Sequence, residues 1–388
     1  MARVAICGVA RTPIGKFRGS LSGLSAVELG VRSVKELLNR CNIDPSSGVI
    51  DEVLFGQVLQ TGAGQAPARQ VALGAGLPNT IAATTINKVC GSSLKAVMMA
   101  ANSIKAGEYK AIIAGGMESM TNAPYLIKKN LSKLGNARMI DSLIYDGLWD
   151  AYNNLHMGSC AEMLVKDRKY TREEQDQFAI DSYKKAHDAQ KNGYFNNEIT
   201  VLKNSKGISI ALDEEPGRAK FDKVPKISPA FEKNGTITAA NASKLNDGAA
   251  AVLLCSSEAV KSSNIKPIAK IIAHCSYAND PKWFTTAPSG AIKNVLDKAG
   301  LSKNDIDIWE INEAFSVVAM AAIDDFNLDK TTVNIHGGAV ALGHPIGASG
   351  ARILVTLINA LDRLEKRIGL ATLCIGGGEA SAMIIEKL

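Results

Sequence analysis

An α/β fold built from two similar halves is predicted for this 388-residue chain by three observations. Short apolar runs alternate with helix-period segments at both ends of the chain. The order of these segments in the last third repeats that in the first. A stretch of different composition, roughly residues 118–246, separates the two. Strands alternating with helices indicate βαβ units and a largely parallel, buried sheet. The repeat is too long for a solenoid, whose periods run about 20–50 residues, and reads as a duplicated domain.

In the first half, VAICGV (4–9) reads as a strand and 26–38 as a helix. EVLFGQVL (52–59) and TTINKV (84–89) follow as strands, then a helical pattern over 91–104, and AIIAGG (111–116) closes the set. The last third has a strand at 268–276 and a helix over 290–298. DIWEINEAF (307–315) then stands where the first half has DEVLFGQVL (51–59), and VNIHGG (333–338) starts the next unit. A helix from about Ser349 leads to GLATLCIGGG (369–378), which matches AIIAGGMES (111–119).

The region between is rich in Lys, Asn, Asp and Tyr and holds one clear helix, over 171–190. Thr171 with Glu174 three residues on makes a capping box, and Phe178, Ala179, Tyr183 and Ala186 fall on one face. An insertion of this size points to a substrate-binding or lid region. The expected units are therefore 1–117 with 247–267, an inserted 118–246, and 268–388.

With 46% hydrophobic and 21% charged residues, the composition is that of a globular protein. A net charge of +6 suits an anionic small ligand. No basic cluster interleaved with aromatics argues for nucleic acid, and no apolar run is long enough to span a bilayer. The seven cysteines (Cys7, Cys41, Cys90, Cys160, Cys255, Cys275, Cys374) are odd in number and form no C-x-x-C pair. That argues against a disulfide framework and a structural zinc site. A reducing compartment, the cytoplasm, is expected, since the start of the chain has the character of neither a secretory signal nor a transit peptide.

Four segments carry candidate chemistry. In INKVCGSSLKAV (86–97), Cys90 sits where a strand gives way to a helix. There the helix dipole would lower its pKa and favour the thiolate; a buried structural cysteine is the alternative. In HGGAVALGHPIGASGAR (336–352), five glycines between 337 and 350 surround His344, and Pro345 fixes the backbone just after it. An imidazole here could deprotonate a thiol and then stabilise an oxyanion. Cys374, in TLCIGGGEAS (372–381), ends the last apolar run and could shuttle a proton. Asn312 and Glu313, in WEINEAFS (309–316), also end a strand. Ligands in α/β sheets bind beyond the carboxyl ends of strands, where all four candidates converge. Of the other histidines, His156 could contact substrate or cap the next helix. His187 reads as surface, His274 as core, and His336 as support for the glycine-rich loop.

Together with ARTPIGKFRGSL (10–21), QTGAGQAPARQ (60–70), AGGMESMTNAPY (114–125), HMGSCAE (156–162) and TAANASKLNDGAAA (238–251), these segments resemble the thiolase family over essentially the whole chain. The resemblance implies two αβαβα halves in five layers with an inserted loop domain, a homotetramer made of two dimers, and no prosthetic group. It implies reversible condensation of two acetyl-CoA to acetoacetyl-CoA plus CoA through an acetyl-cysteine. Cys90 would be the nucleophile and His344 its activator. Asn312 would hold a water in the first oxyanion hole. The N–H groups of Cys90 and Gly376 would form the second hole, and Cys374 would move the proton.

His156, Met157 and Gly158 match the short-chain members. The CoA and acyl contacts carried across are His156, Met157, Tyr183, Arg218, Ala219, Lys220, Lys223, Phe231, Ser243, Ala314 and Phe315. Phe284 goes with tolerance of 2-methyl substrates. The closest resemblance is to the potassium-activated, mitochondrial-type subgroup, whose ion would meet Tyr183, Ala239, Ala240, Ala242 and Val340. Oxygen ligands suit such a hard cation. The chain departs from the family pattern at Ser93 and Glu379, where glycine is usual, and around Glu214–Gly217. A degradative 3-ketoacyl-CoA thiolase is one alternative. A ketoacyl synthase is another, but it lacks a second reactive cysteine.

Overall fold

Both faces of the sheet strands are apolar, so both must be covered, and the helices do this in layers. The computed structural model describes residues 4–129, 136–204, 206–263 and 265–388. The first half runs β1 (Val4–Arg11), α1 (Ala26–Arg40), β2 (Glu52–Gly56), α2 (Pro67–Gly74), β3 (Ala82–Ile86), α3 (Ser92–Ala106) and β4 (Ala111–Ser119). Short hairpins and two helices, α4 (Met157–Arg168) and α5 (Arg172–Lys191), come next, and the chain then returns to the sheet as β5 (Asn246–Ser256). The second half repeats the plan with β6 (Ala269–Ala278), α6 (Ala287–Ala299), β7 (Ile308–Ile311), α7 (Ser316–Phe326), α8 (Ser349–Arg363), β8 (Ile368–Ile375) and β9 (Glu379–Lys387). Where the first half has β3, the second makes only a single bridge, Val333 to Trp309.

The strand order is β7-β8-β9-β6-β1-β5-β4-β2-β3, with Gly15–Lys16 pairing β5 as a short tenth strand. The halves join where Ala5 and Ile6 of β1 pair antiparallel with Lys270 and Ala269 of β6. The sheet is mixed, which corrects the largely parallel sheet expected. Only β2–β3, β2–β4 and β7–β8 are parallel. Apart from β1–β6, the antiparallel pairings come from β5 and β9, two strands that the sequence pattern hides. β9 follows β8 directly through the turn Gly376–Gly378, a short connection that only antiparallel neighbours permit.

Alternation along each strand sorts the core. Ile112, Ala114, Val252 and Leu254 from one half, and Leu373, Met383 and Ile385 from the other, pack on the central helices α3 and α8 through Leu94, Val97, Ile353, Leu354 and Leu357. On the outer face of the first half, Phe55, Ile113 and Leu253 meet Leu29, Leu37 and Val71 of α1 and α2. On the second, Trp309, Leu370 and Ile384 meet Ile292, Val295 and Ile323 of α6 and α7. The result is the expected five layers, helix and sheet alternating. Each fully buried Leu or Ile contributes about 1.5–3 kcal/mol. The central helices touch at Gly350, where an added Cβ would lie 2.6 Å from the Leu94 backbone nitrogen. No helix among the described residues is long and apolar enough to cross a membrane.

α5 starts as its sequence predicts. Thr171 accepts from the Glu174 N–H at 3.2 Å, and Glu174 accepts from the Thr171 N–H at 2.7 Å. Its buried face, Ala179, Tyr183 and Ala186, packs on Val340, Ala341 and Leu342, just before His344. The inserted region thereby reaches the candidate site.

Candidate active site

The turn between β3 and α3 presents Cys90. Asn87 Oδ1 accepts from the Val89 N–H at 3.0 Å, Ser92 Oγ accepts from the Lys88 N–H at 2.9 Å, and Ser92 Oγ donates to Val89 O at 2.6 Å. These bonds hold Val89 at φ 46°, a left-handed conformation that a β-branched residue rarely adopts. Such strain costs on the order of 1–3 kcal/mol and collects at functional turns. The Gly376 N–H points at the Cys90 sulfur, as does the N–H of Cys90 itself. Those are the two donors expected for an oxyanion hole. Lys88 and Glu379 form an ion pair across the gap between the Cys90 turn and the Gly376–Gly378 turn. Glu379, a departure from the family pattern, thus ties together the two segments that supply those donors.

His344 is buried and its tautomer is set by its neighbours. Ser349 Oγ donates to Pro345 O at 2.9 Å, so it accepts from His344 Nδ1 at 2.6 Å. Nε2 is therefore left with its lone pair, and the Asn312 amide approaches it at 3.5 Å. Asn312 Oδ1 is buried with no partner among the described residues, which suits a water held beside the imidazole. Asn246 Oδ1 fixes the His344 backbone N–H at 2.9 Å.

Cys90, His344, Cys374 and Gly376 line one narrow cavity of about 60 Å³ with His156, Met157, Ser243, Phe284, Ala314 and Phe315. Val89, Gly147, Leu148 and Ile346 complete it. The volume is on the order of a few waters. Phe231 stacks on His156 with ring centroids 4.8 Å apart and meets Phe315 edge-on at 5.9 Å. His156 Nδ1 accepts from the Gly158 N–H at 3.0 Å, so this histidine caps α4 as well as lining the cavity.

Burial pushes the Cys90 thiol up to about 11, against the pull of the two N–H groups. This corrects the expectation of a thiol lowered by its helix terminus, because desolvation of the thiolate outweighs the dipole. Burial, helped by Arg352, pushes His344 down to about 3. Burial and the nearby Cys90 push Cys374 well up. The resting site is therefore a neutral thiol beside a neutral imidazole. Below its pKa the thiolate fraction grows tenfold per pH unit. Alkylation of Cys90 by a small neutral reagent, mapped to its peptide, accordingly rises about tenfold per unit between about pH 7 and 10. A plateau near neutral pH would mean a preformed thiolate and would overturn this picture.

The other expected residues lie elsewhere. Arg218 and Lys223 are exposed on the turns Pro216–Arg218 and Phe221–Lys226, Lys220 is exposed just before the second, and none of the three lines the cavity. Ala219 packs beside Tyr183 and Val340. The carbonyls of Ala240, Ala242 and Val340 do converge, but on the ammonium of Lys244, at 3.4, 2.7 and 3.2 Å. These are carbonyls expected to hold potassium, and here they face the chain's own ammonium; Tyr183 offers it a ring face with the nitrogen 5.5 Å from the centroid, and Ala239 is exposed. Burial pushes Lys244 down to about 8, opposed by Glu215 and Glu313.

Sequence reasoning missed Ser349, Asn246, Lys244 and Glu118. Glu118 accepts backbone N–H groups of Val58, Leu59 and Gly347 at 3.0, 3.2 and 3.0 Å, which braces the loop carrying Ile346. Burial pushes it up to about 7 against those bonds. Its place in AIIAGGMES, directly after a strand candidate, was the available signal. His336 accepts from Arg363 of α8 at 2.6 Å, beside Tyr194 and Phe195 of the inserted region. Ser93, the other departure, accepts from the Ala351 N–H at 2.9 Å and so caps α8.

Known proteins resemble this chain over its whole length. The N-terminal domain of the thiolase family matches residues 4–258 and its C-terminal domain residues 265–387. The chain is 50% identical over 386 residues to an acetyl-CoA acetyltransferase of Yarrowia lipolytica, covering 99% of this chain and 96% of that one. It is 48% identical over 390 residues to a mitochondrial acetyl-CoA acetyltransferase of Rattus norvegicus, covering 99% and 91%. A crystal structure of the Acat5 thiolase from Ascaris suum in complex with coenzyme A superposes with a TM-score of 0.95 at 46% identity, over 100% of both chains.

Proposed function

Because this chain belongs to the thiolase family, whose N- and C-terminal domains it matches in order, we propose that it is an acetyl-CoA C-acetyltransferase. It is an acyltransferase that interconverts two acetyl-CoA with acetoacetyl-CoA and CoA. The observation that carries this reading is the pairing of Cys90 and Cys374 in one small cavity, with His344 beside them.

The chemistry divides into two halves. In the first, the Cys90 sulfur attacks the thioester carbonyl of acetyl-CoA while its proton passes to His344 Nε2. The C–S bond to CoA breaks, and the proton goes to the departing CoA sulfur. His344 and a water on Asn312 face the oxyanion. Because a free ion pair is disfavoured in this buried site, proton transfer is coupled to the attack that creates a compensating oxyanion. In the second half, the Cys374 thiol passes its proton to His344 Nε2 as its sulfur takes one from the methyl of a second acetyl-CoA. The carbanion attacks the acetyl-Cys90 carbonyl, whose oxygen faces the N–H groups of Cys90 and Gly376. Cys90 leaves as thiolate and takes back the proton held on His344, which restores the resting site. Removing one such donor typically costs about 3–4 kcal/mol of barrier.

The cavity volume of about 60 Å³ and its aromatic wall of Phe284 and Phe315 favour a two-carbon acyl group over long chains. Seven free cysteines suit a reducing compartment, cytoplasm or mitochondrial matrix alike. The exposed Tyr125, Ile127, Met139, Tyr145 and Trp149 support assembly through this face into a homotetramer. The test is a thiolysis assay with acetoacetyl-CoA, its 2-methyl analogue and a longer 3-ketoacyl-CoA. Acetoacetyl-CoA is expected to be cleaved at least about tenfold faster, by kcat/KM, than the longer substrate, since extra methylenes have no room. Equal or faster cleavage of the longer chain would favour a degradative 3-ketoacyl-CoA thiolase.

A further inference from the structure

Lys244 ends a loop whose carbonyls turn inward rather than into a regular hydrogen-bond ladder. An ammonium has three donors and no acceptor, and here each donor meets a backbone oxygen: Ala242 O at 2.7 Å, Val340 O at 3.2 Å and Ala240 O at 3.4 Å. The ring of Tyr183 closes a further side. Backbone oxygens gathered in this way leave a concentration of negative partial charge that requires a positive partner. The chain supplies that partner itself.

The segments joined at this point all serve the active site. Ser243, the residue before Lys244, lines the cavity, and its N–H donates to Ala314 O at 3.0 Å. Val340 stands in the short turn Ala339–Leu342, four residues ahead of His344, and its N–H is held by Glu313 at 3.2 Å. Tyr183 brings in α5. One nitrogen therefore ties the cavity-lining loop, the turn that sets His344, and the inserted helix. A free potassium ion in the same cradle would have to displace the ammonium from its oxygens or sit against a like charge.

We propose that Lys244 is a tethered cation that replaces a dissociable potassium ion in this chain, holding Ser243 and the His344 turn in register whatever the monovalent salt. The activity readout rests on the acyl-transfer reading above; the thermal readout does not. Lys244 acts as a positioning residue and is not a catalytic one.

The experiment compares the native protein and Lys244→Ala in matched concentrations of KCl and NaCl, by thiolysis of acetoacetyl-CoA and by thermal unfolding. For the native protein, kcat, KM and Tm are expected to be the same in both salts. For Lys244→Ala, kcat/KM falls roughly tenfold in NaCl, mainly through KM, and KCl restores most of it and raises Tm. Activation or thermal stabilisation of the native protein by KCl over NaCl would overturn the proposal, and this arm decides it even where the variant fails to fold. A folded Lys244→Ala that KCl does not rescue would overturn it equally. Absence of thiolysis from the native protein in either salt would refute the acyl-transfer reading instead, leaving the Tm comparison to judge the cation.

Discussion

Cys90→Ala abolishes the acetyl-enzyme and lowers turnover by at least about 10⁴-fold, the scale seen when a nucleophile that acts with its base as one unit is removed. The measurement is intact-protein mass spectrometry after mixing with acetyl-CoA, in which the native protein gains one acetyl group and the variant gains none. The variant should still fold. Cys90 stands on a turn held by Asn87 and Ser92 rather than by its own side chain. The loss is expected in kcat, since the cavity wall of Met157, Phe284 and Phe315 remains to bind the substrate. An acetyl adduct of undiminished yield on the variant would move the nucleophile to another residue, and peptide mapping would show whether Cys374 had taken its place.

The features that sequence reasoning captured are those written locally. Thr171 and Glu174 announce a helix start within four residues, and the structure closes the capping box at that position. Cys90, Asn312 and Cys374 each end an apolar run, so their common placement followed from where strands stop. The two return strands were not legible. β5 begins Asn-Asp-Gly, which reads as a turn, and continues in alanines; β9 opens Glu-Ala-Ser-Ala, which favours a helix by composition. Both are strands because flanking strands on each side satisfy their backbone and bury every face, a condition set by tertiary structure and not by propensity. The same holds for charge. The turn before α3 suggests a lowered thiol pKa, but the burial that reverses it comes from the opposite half of the molecule, through Ile375, Cys374 and His344. Lys244 is the sharpest instance. Next to Ser243 it reads as one more surface lysine, and only the approach of Val340, 96 positions away, reveals its role.

Cys374→Ala is expected to separate the two halves of the reaction. The variant should be acetylated by acetyl-CoA at close to the native rate, because Cys90, His344 and the Gly376 N–H are untouched. Condensation, and thiolysis of acetoacetyl-CoA in reverse, should fall by about 10²–10⁴-fold, the usual worth of a positioned proton-transfer group. Exchange of labelled CoA into acetyl-CoA measures the first half alone, and acetoacetyl-CoA formation measures both. Native-like condensation would remove Cys374 from proton transfer, while loss of exchange together with condensation would make it part of the acylation site. The asymmetry follows from where the sulfur sits. Cys374 is 1% exposed at the end of β8, and a thiolate there is costly both from burial and from the sulfur of Cys90 nearby. Cys90 is a neutral thiol at rest, so burial is the cost that remains, and it falls on the second half-reaction, the one that needs Cys374 as base.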